Sequence, residues 1–317
     1  MIEVREKPLI SFVLVAYNQE KYIREAVEGA FSQTYSPLEI ILSDDCSTDR
    51  TFEIIKEMAE QYHGPHQIKL NHNSRNLGIG SHLNTVFEMC RGEFIVLAAG
   101  DDISVGHRTE ALWQEWENSG RLAHLVYSHM YLIDKGGSLK GKWQPGSIHH
   151  TSVEQSLKLG SCSVFGCTVG FSRELIHKFG PLRSDVVHED TIIPFRSLLL
   201  GSISYINDCL VYYRRHDTNV YKTTGLLTSS FSAFKSEEQR KLTTYQQWWE
   251  DVESVPSKTD YYRSLISPHI LQSQKTIARL HLPFCGYLYY LYLLNKCRMR
   301  NQYSRLMRAV TFRIQAR

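Results

Sequence analysis

Apolar residues in the first hundred positions alternate between unbroken runs and helical spacing. Ile10–Val15 (ISFVLV) is continuous, as expected of a strand buried on both faces. Tyr22, Ile23, Ala26, Val27, Ala30 and Phe31 then recur at helical intervals. Leu38–Leu42 (LEIIL) predicts a second strand, followed by a helix with Phe52, Ile55, Met58, Ala59 and Tyr62 on one face. Ile68–Leu70 predicts a short strand, and Leu83, Val86, Phe87 and Cys90 mark another helix. Phe94–Ala98 (FIVLA) is a further buried strand. Repeated strand–helix units of this kind predict a mainly parallel sheet wound with helices. Trp113 and Trp116 sit at helical spacing and read as core packing.

Beyond residue 120 the pattern is more mixed. His124–Ile133 reads as a strand that runs into a turn at Lys135-Gly136-Gly137. Val169–Ser172 and Ile203–Tyr213 are strand-like, and residues 189–200 look helical, with Pro194 marking a start, kink or break. After about Leu227 the spacing is helical to the end.

Composition is that of an ordinary globular chain: 317 residues, 42% hydrophobic and 22% charged. Charge is unevenly spread, and this changes the picture. From Tyr261 to Arg317 there are ten Lys or Arg and no Asp or Glu, so the net +3 conceals −7 over the first 260 residues. Together with Phe284, Tyr287, Tyr289, Tyr290 and Tyr292 near Lys296, Arg298 and Arg300, that tail fits an anionic membrane surface or a helix packed on the core. No nucleic-acid-binding motif accompanies the charge, so no nucleic-acid partner is expected. Seven scattered cysteines without a CxxC pair argue against a disulfide framework or zinc site. The opening MIEVREKPLI lacks the apolar core of a signal peptide, and no apolar run reaches the ~20 residues that span a bilayer. A cytoplasmic location is expected, with attachment to the inner face of the plasma membrane left open.

In an open parallel sheet, ligands bind beyond the carboxyl ends of the strands. The first strand ends in Ala16-Tyr17-Asn18-Gln19-Glu20, the second in Asp44-Asp45, and the fourth in Asp101-Asp102. Two of these three converging clusters are paired acids, which repel one another unless a cation is present. A hard divalent ion, Mn²⁺ or Mg²⁺, sharing one or two carboxylates with substrate phosphates fits Asp101-Asp102 better than an all-protein cage. Taken alone, each acid pair could equally cap the following helix. Neither GxGxxG nor GxxxxGK[ST] occurs, so phosphate must be held by metal and side chains, unlike in dehydrogenases and P-loop kinases.

The string VAYNQEKYIREAVEGAFSQTYSPLEIILSDDCSTDRT resembles the N-terminal signature of family 2 glycosyltransferases, which have the GT-A fold. Asn76-Leu77-Gly78, Asn84 and CRGEFIVLAAGDDI extend the likeness, which covers about residues 8–216. The resemblance implies an α/β fold: a GT-A type, mainly parallel sheet flanked by helices, with a Rossmann-like nucleotide-binding half and a helical C-terminal extension. Residues 1–225 would form the transferase domain, split into a nucleotide-sugar-binding half (8–105) and an acceptor half (106–225). Residues 226–317 would be the helical, basic-aromatic region.

By the same resemblance, Ala16, Tyr17, Asn18 and Glu20 would line the base and ribose pocket. Asp44 would bind the nucleobase, commonly uracil, with Asp45 supporting the same loop, and Asn76, Gly78 and Asn84 would also belong to the nucleotide-sugar site. Asp101 would sit near ribose and metal, and Asp102 would ligate the metal. Many members carry an acid two residues before the first Asp of this pair, where this chain has Ala99.

Transfer with inversion needs a base for the attacking hydroxyl, opposite the departing diphosphate. Asp190 of His188-Glu189-Asp190 is the expected base, with Glu189 next; the plainer alternative is that these acids favour a helix N-terminus. Tyr213-Arg214-Arg215-His216 resembles a YRxH segment that lies near the donor diphosphate, where His216 could meet metal or phosphate and Arg214 or Arg215 could neutralise charge. Arg196 reads as the partner of a nearby acid. Trp143, in the loop GKWQPG, is the candidate for an acceptor contact.

The expected activity is inverting transfer from a nucleoside-diphosphate sugar, uridine-based, to a glycan or lipid-linked glycan acceptor in bacterial surface polysaccharide (capsule or O-antigen) assembly. A sugar nucleotidyltransferase would open with a Gly-rich basic loop where this chain has AYNQEKY, and a non-catalytic nucleotide-sugar-binding module would not need its four acids at 101, 102, 189 and 190.

Overall fold

The computed structural model describes residues 6–143, 152–162, 164–216, 231–282, 289, 290 and 292. The chain divides into two compact units, one of residues 1–216 with 243–266 and one of 217–242 with 267–317.

Among the described residues the first unit is built on a sheet of nine strands with helices on its faces. Strands β1 (Ile10–Ala16), β2 (Leu38–Asp44), β3 (Gln67–His72) and β4 (Phe94–Ala99) lie in the order β3-β2-β1-β4, all parallel. Helices α1 (Ile23–Phe31), α2 (Thr51–Glu60) and α3 (Ile79–Met89) connect them. The continuous apolar runs are explained by burial: Ile10, Phe12, Val13 and Leu14 of β1 are all fully enclosed. Phe12, Leu14, Ile40 and Phe94 meet Ile23, Val27 and Ile55 in the main core. Trp116, 4% exposed, stacks on Phe94 with ring centroids 5.0 Å apart, and Trp113 leans on Tyr35. Both lie on α4 (Arg108–Asn118), in keeping with their helical spacing.

Register fixes the functional edge. Ala16 pairs with Asp44, Val15 with Ala99, and Asp44 with His72, so the three loops that follow these strands leave the sheet side by side. At the opposite edge Glu39, wholly buried, accepts from Ser11 Oγ (2.6 Å) and Arg91 N (2.6 Å) and pairs with Lys69 at 2.8 Å. Burial alone would raise its carboxyl, but Lys69, Ser11 and Arg91 bring it down to about 2.

Beyond β4 the sheet becomes mixed. β8 (Val169–Ser172) runs antiparallel between β4 and β6 (Ala123–Asp134), whereas β9 (Ser202–Arg215) is parallel to β6. Two short strands carried no readable sequence signal: β5 (Ile103–Ser104), which pairs with β9, and β7 (Leu139–Trp143), which pairs with β6. Helices α5 (Val153–Leu159), α6 (Glu174–Phe179) and α7 (Glu189–Leu200) complete the connections to β9.

Pro194 lies inside α7 and does not begin or end it. Proline has no N–H to give the carbonyl four residues back. That carbonyl belongs to Asp190, and it accepts instead from Val164 N at 3.1 Å. Farther along α7, the buried Arg196 guanidinium grips Asp251 through two bonds of 2.9 and 3.0 Å, and Phe195 stacks on Trp248 at 4.4 Å. Asp251 and Trp248 belong to α8 (Phe231–Asp251), which is followed by α9 (Thr259–Leu280).

In the second unit, Phe234, Leu280 and Tyr290 form a small core with Phe231 and Tyr289 beside it. Tyr290 is 6% exposed, whereas Tyr292 is 58% exposed. Phe284, Tyr287, Lys296, Arg298 and Arg300 of the basic-aromatic tail lie outside the described residues. Among the described residues no helix is long and apolar enough to cross a membrane.

Candidate functional site

The loops after β1 and β2 are zipped together by side chains. Asn18 takes a left-handed φ of 53°, and its Oδ1 accepts from Thr48 N at 2.8 Å. Its own N–H donates to Ser47 Oγ at 2.8 Å. Gln19 N donates to Thr51 Oγ1 (2.7 Å), Glu20 N to Asp49 Oδ2 (3.1 Å), and Arg50 N to Glu20 Oε2 (3.2 Å). Asn18 and Glu20 therefore hold two loops in register. Ala16 is buried beneath them, and Tyr17, 44% exposed, is left as an open aromatic ring at the rim.

Asp44 does not face that rim. Its carboxylate has no exposed surface and accepts from Ser47 N (2.8 Å) and Ser47 Oγ (2.5 Å), with His72 Nδ1 3.0 Å away. The accessible group behind the pair is His72, 39% exposed, whose ring stacks on Phe52 at 4.1 Å. His72 was not singled out from sequence. The signal was there in principle, since His72 ends β3 beside Asp44 on β2.

Asp45 ties down the next loop. It accepts from Asn73 Nδ2 (2.8 Å), Leu77 N (2.9 Å) and Gly78 N (3.0 Å). Asn76 Oδ1 shares the Gly78 N–H at 2.9 Å, and Gly78 turns at φ 73°, where a side chain would be strained. Asn84 stands apart from these loops. Its amide is paired twice with Leu182, donating to the carbonyl at 2.7 Å and accepting from the N–H at 2.8 Å. It is a clamp between α3 and a distant segment, because both ends of the amide are already engaged.

At the end of β4, Asp102 is 5% exposed and its Oδ1 accepts from Arg214 N at 2.8 Å. Burial, followed by the neighbouring Asp101, pushes the Asp102 carboxyl well above the ordinary range. Asp101 Oδ2 lies 2.9 Å from His216 Nε2, and the His216 ring packs against Tyr22 at 4.9 Å. Arg214 differs from expectation. Its guanidinium, 1% exposed, donates to the Asp101 carbonyl (3.0 Å) and to Glu25 (3.0 Å) and lies over the Tyr22 ring. It braces the acidic turn from inside.

Two carboxylates and an imidazole therefore occupy one end of β4 and β9. Among the described residues no three His, Cys, Asp or Glu side chains converge as a ready-made metal cage. The donor set still fits a hard cation, because the buried charge of Asp102 is poorly compensated by the protein and Mg²⁺-type sites take few carboxylates plus phosphate oxygens.

The second acid pair is brought to the first by a three-residue turn, Gly166–Thr168. Val164 N is anchored on the Asp190 carbonyl that Pro194 leaves available. This carries Gly166 so close to α7 that a Cβ there would stand 2.9 Å from Glu189 Oε1 and 3.6 Å from Asp190 Cβ. The next residue, Cys167, bonds Asp102 through its thiol, which burial and then Asp102 keep protonated. The paired acids of β4 and those of α7 thus flank a single turn. Burial, then the charge of Asp190, raises the Glu189 carboxyl to about 8. Burial and its neighbour thus push Glu189 toward the protonated form. A cavity of about 300 Å³ lined by Glu93, Trp116, Arg121 and His177 opens near the start of β4, remote from these acids.

A sequence profile described as "Glycosyl transferase family 2" matches residues 11–180. The chain is 33% identical over 157 residues to an uncharacterized glycosyltransferase of Methanocaldococcus jannaschii, covering 49% of this chain and 53% of that protein. It thus spans about half the length of that relative. The fold is similar to that of S. aureus TarS residues 1–349 in complex with UDP-GlcNAc: TM-score 0.54, 16% identity, 84% of this chain and 90% of that one. It is also similar to the mannosyltransferase PcManGT of Pyrobaculum calidifontis in complex with GDP-Man and Mn²⁺: TM-score 0.56, 17% identity, 91% of this chain and 80% of that one.

Proposed function

Since the chain belongs to glycosyl transferase family 2, we propose that it transfers a sugar, with inversion, from a nucleoside-diphosphate sugar to a hydroxyl of a glycan acceptor. One observation carries this reading: the Gly166–Thr168 turn puts Asp102 on one side and the Glu189–Asp190 pair on the other. A diphosphate leaving group and an attacking hydroxyl need these two kinds of carboxylate at a short distance from each other.

In this reading Asp101, Asp102 and His216 would hold a divalent cation, which when bound would neutralise charge on the departing diphosphate. Asp190 accepts the proton of the acceptor hydroxyl, beside a Glu189 whose protonated form is favoured by burial and by Asp190. Tyr17 and His72, the exposed rings at the rim, face the nucleobase, with Asp44 orienting His72 from behind. Asp45, Asn76 and Gly78 hold the loop beneath the ribose. Arg214 fixes the acidic turn through Asp101, Glu25 and the Arg214 N–H. A uridine donor is favoured by the likeness to the UDP-GlcNAc complex of TarS, and the GDP-Man complex of PcManGT makes guanosine donors the comparison to run against it.

The deciding experiment is a thermal-shift panel of UDP- and GDP-sugars with and without Mn²⁺. A ligand at a hundred times its Kd adds about 2.7 kcal/mol of stability, which for a chain of this size raises Tm by roughly 4 °C. The expected result is a UDP-sugar shift that needs the metal. No shift with any donor, in Mn²⁺ or Mg²⁺, would remove the basis of the proposal.

A further inference from the structure

Ala99 stands two residues before Asp101. Here that position is part of an apolar cluster with Trp143, Phe165 and Tyr213, laid over the buried Met130 and Cys167. Trp143 meets Phe165 edge to face at 4.7 Å and 68°, and Phe165 meets Tyr213 at 5.4 Å and 69°. All three rings remain partly exposed. An acid at 99 would stand against these rings, so the alanine and the aromatic cluster belong together.

The cluster adjoins the reacting groups on both sides. Phe165 immediately precedes Gly166, which approaches α7 so closely that a Cβ there would stand 2.9 Å from Glu189 Oε1. Tyr213 precedes Arg214, whose N–H holds Asp102. A wall of partly exposed aromatic rings beside a base and a phosphate-side carboxylate is suited to a ligand with one apolar face and a polar rim. A pyranose ring has that form, with axial C–H groups on one face and hydroxyls around the edge. The base must come within about 3 Å of the hydroxyl it deprotonates, which requires the acceptor ring to lie against this turn.

Resting on the transferase reading above, we propose that Trp143, Phe165 and Tyr213 form the acceptor-sugar platform. A pyranose of the acceptor lays its C–H face on these rings and directs one hydroxyl past Gly166 to the Glu189–Asp190 pair.

The test is saturation-transfer difference NMR on the full chain with UDP and Mn²⁺. The probes are methyl glycosides of glucose, galactose, mannose and N-acetylglucosamine, with decyl phosphate as a lipid probe. Donor affinity is followed in parallel by calorimetry. The expected result is saturation concentrated on ring C–H protons of at least one glycoside. It should fall at least fivefold in Trp143→Ala and Phe165→Ala, recover in Trp143→Phe, and persist in Tyr205→Ala, which removes an exposed tyrosine elsewhere on the same sheet. Near-UV circular dichroism establishes that each variant is folded, and a misfolded Trp143→Ala leaves Phe165→Ala and Trp143→Phe to decide. Undiminished saturation in the folded variants, no glycoside contact in the parent, or contact with decyl phosphate alone would each overturn the platform. If the parent binds no nucleotide sugar, the transferase reading fails, and this inference with it. If donor binds normally while the aromatic variants change nothing, only the platform fails.

Discussion

Asp102→Asn is expected to lower sugar transfer by about 10²–10³-fold, the loss typical of removing one group that stabilises charge developing in a transition state. The substitution isolates chemistry from folding. An asparagine retains a side-chain oxygen that can accept the Arg214 N–H now held at 2.8 Å. It also removes a buried charge that sits next to Asp101 and is disfavoured by burial. The variant should therefore be at least as stable as the parent in denaturant while losing activity. It should also need a higher Mn²⁺ concentration for half-maximal donor binding, since one of two carboxylates has gone. Measured by calorimetric donor titration at several Mn²⁺ concentrations, an unchanged metal requirement would mean that Asp102 serves the fold and not the cation. Asp102→Ala is the less informative change, because it leaves a buried backbone N–H without its partner.

What the sequence made legible follows from how local each signal is. β1, β2 and β4 were readable because burial on both faces writes an unbroken apolar run, and the acid pairs at their ends follow directly. Side-chain direction was less accessible. Asp44 and Asp45 are adjacent, yet one is enclosed by Ser47 and His72 and the other spans to Gly78, a difference set by the loops around them. Asn84 pairs with Leu182, ninety-eight positions away, and Arg214 with Glu25, one hundred and eighty-nine away. No periodicity encodes such partners. Two-residue and five-residue strands such as β5 and β7 are too short to write a pattern and exist because β9 and β6 offer edges to pair with.

Pro194 shows how one residue can be read correctly and still be incomplete. Its chemistry predicts a disturbance of the helix, but not which group profits from it. The carbonyl it leaves unbonded, that of Asp190, recruits Val164 and with it the turn that brings Gly166 to Glu189 and Cys167 to Asp102. A helix-breaking residue in mid-helix thus fixes the distance between two acid pairs that are separated by almost ninety residues in the chain.

The same turn governs the second large effect. Asp190→Asn is expected to reduce transfer by about 10²–10⁴-fold, the span of a general base, whereas Glu189→Gln should retain most of it, because glutamine resembles the protonated carboxyl. In the parent, the pH profile of transfer should inflect near 8, where Glu189 gives up its proton, and that inflection should be absent from Glu189→Gln. If Glu189→Gln abolishes transfer and Asp190→Asn does not, the two roles are exchanged. Stability supplies an independent check. The Glu189 carboxyl is raised from 4.5 to about 8 by burial and by Asp190. Between those values the folded chain binds a proton that the unfolded chain has released, so stability declines as pH rises through that window and levels off above it. Glutamine does not titrate. The margin of Glu189→Gln over the parent in urea unfolding should therefore be small at pH 4, grow through neutrality and be largest at pH 9. A margin that stays flat across this range would show that Glu189 is not held protonated in the fold, and the division of labour between the two acids would then have no physical basis.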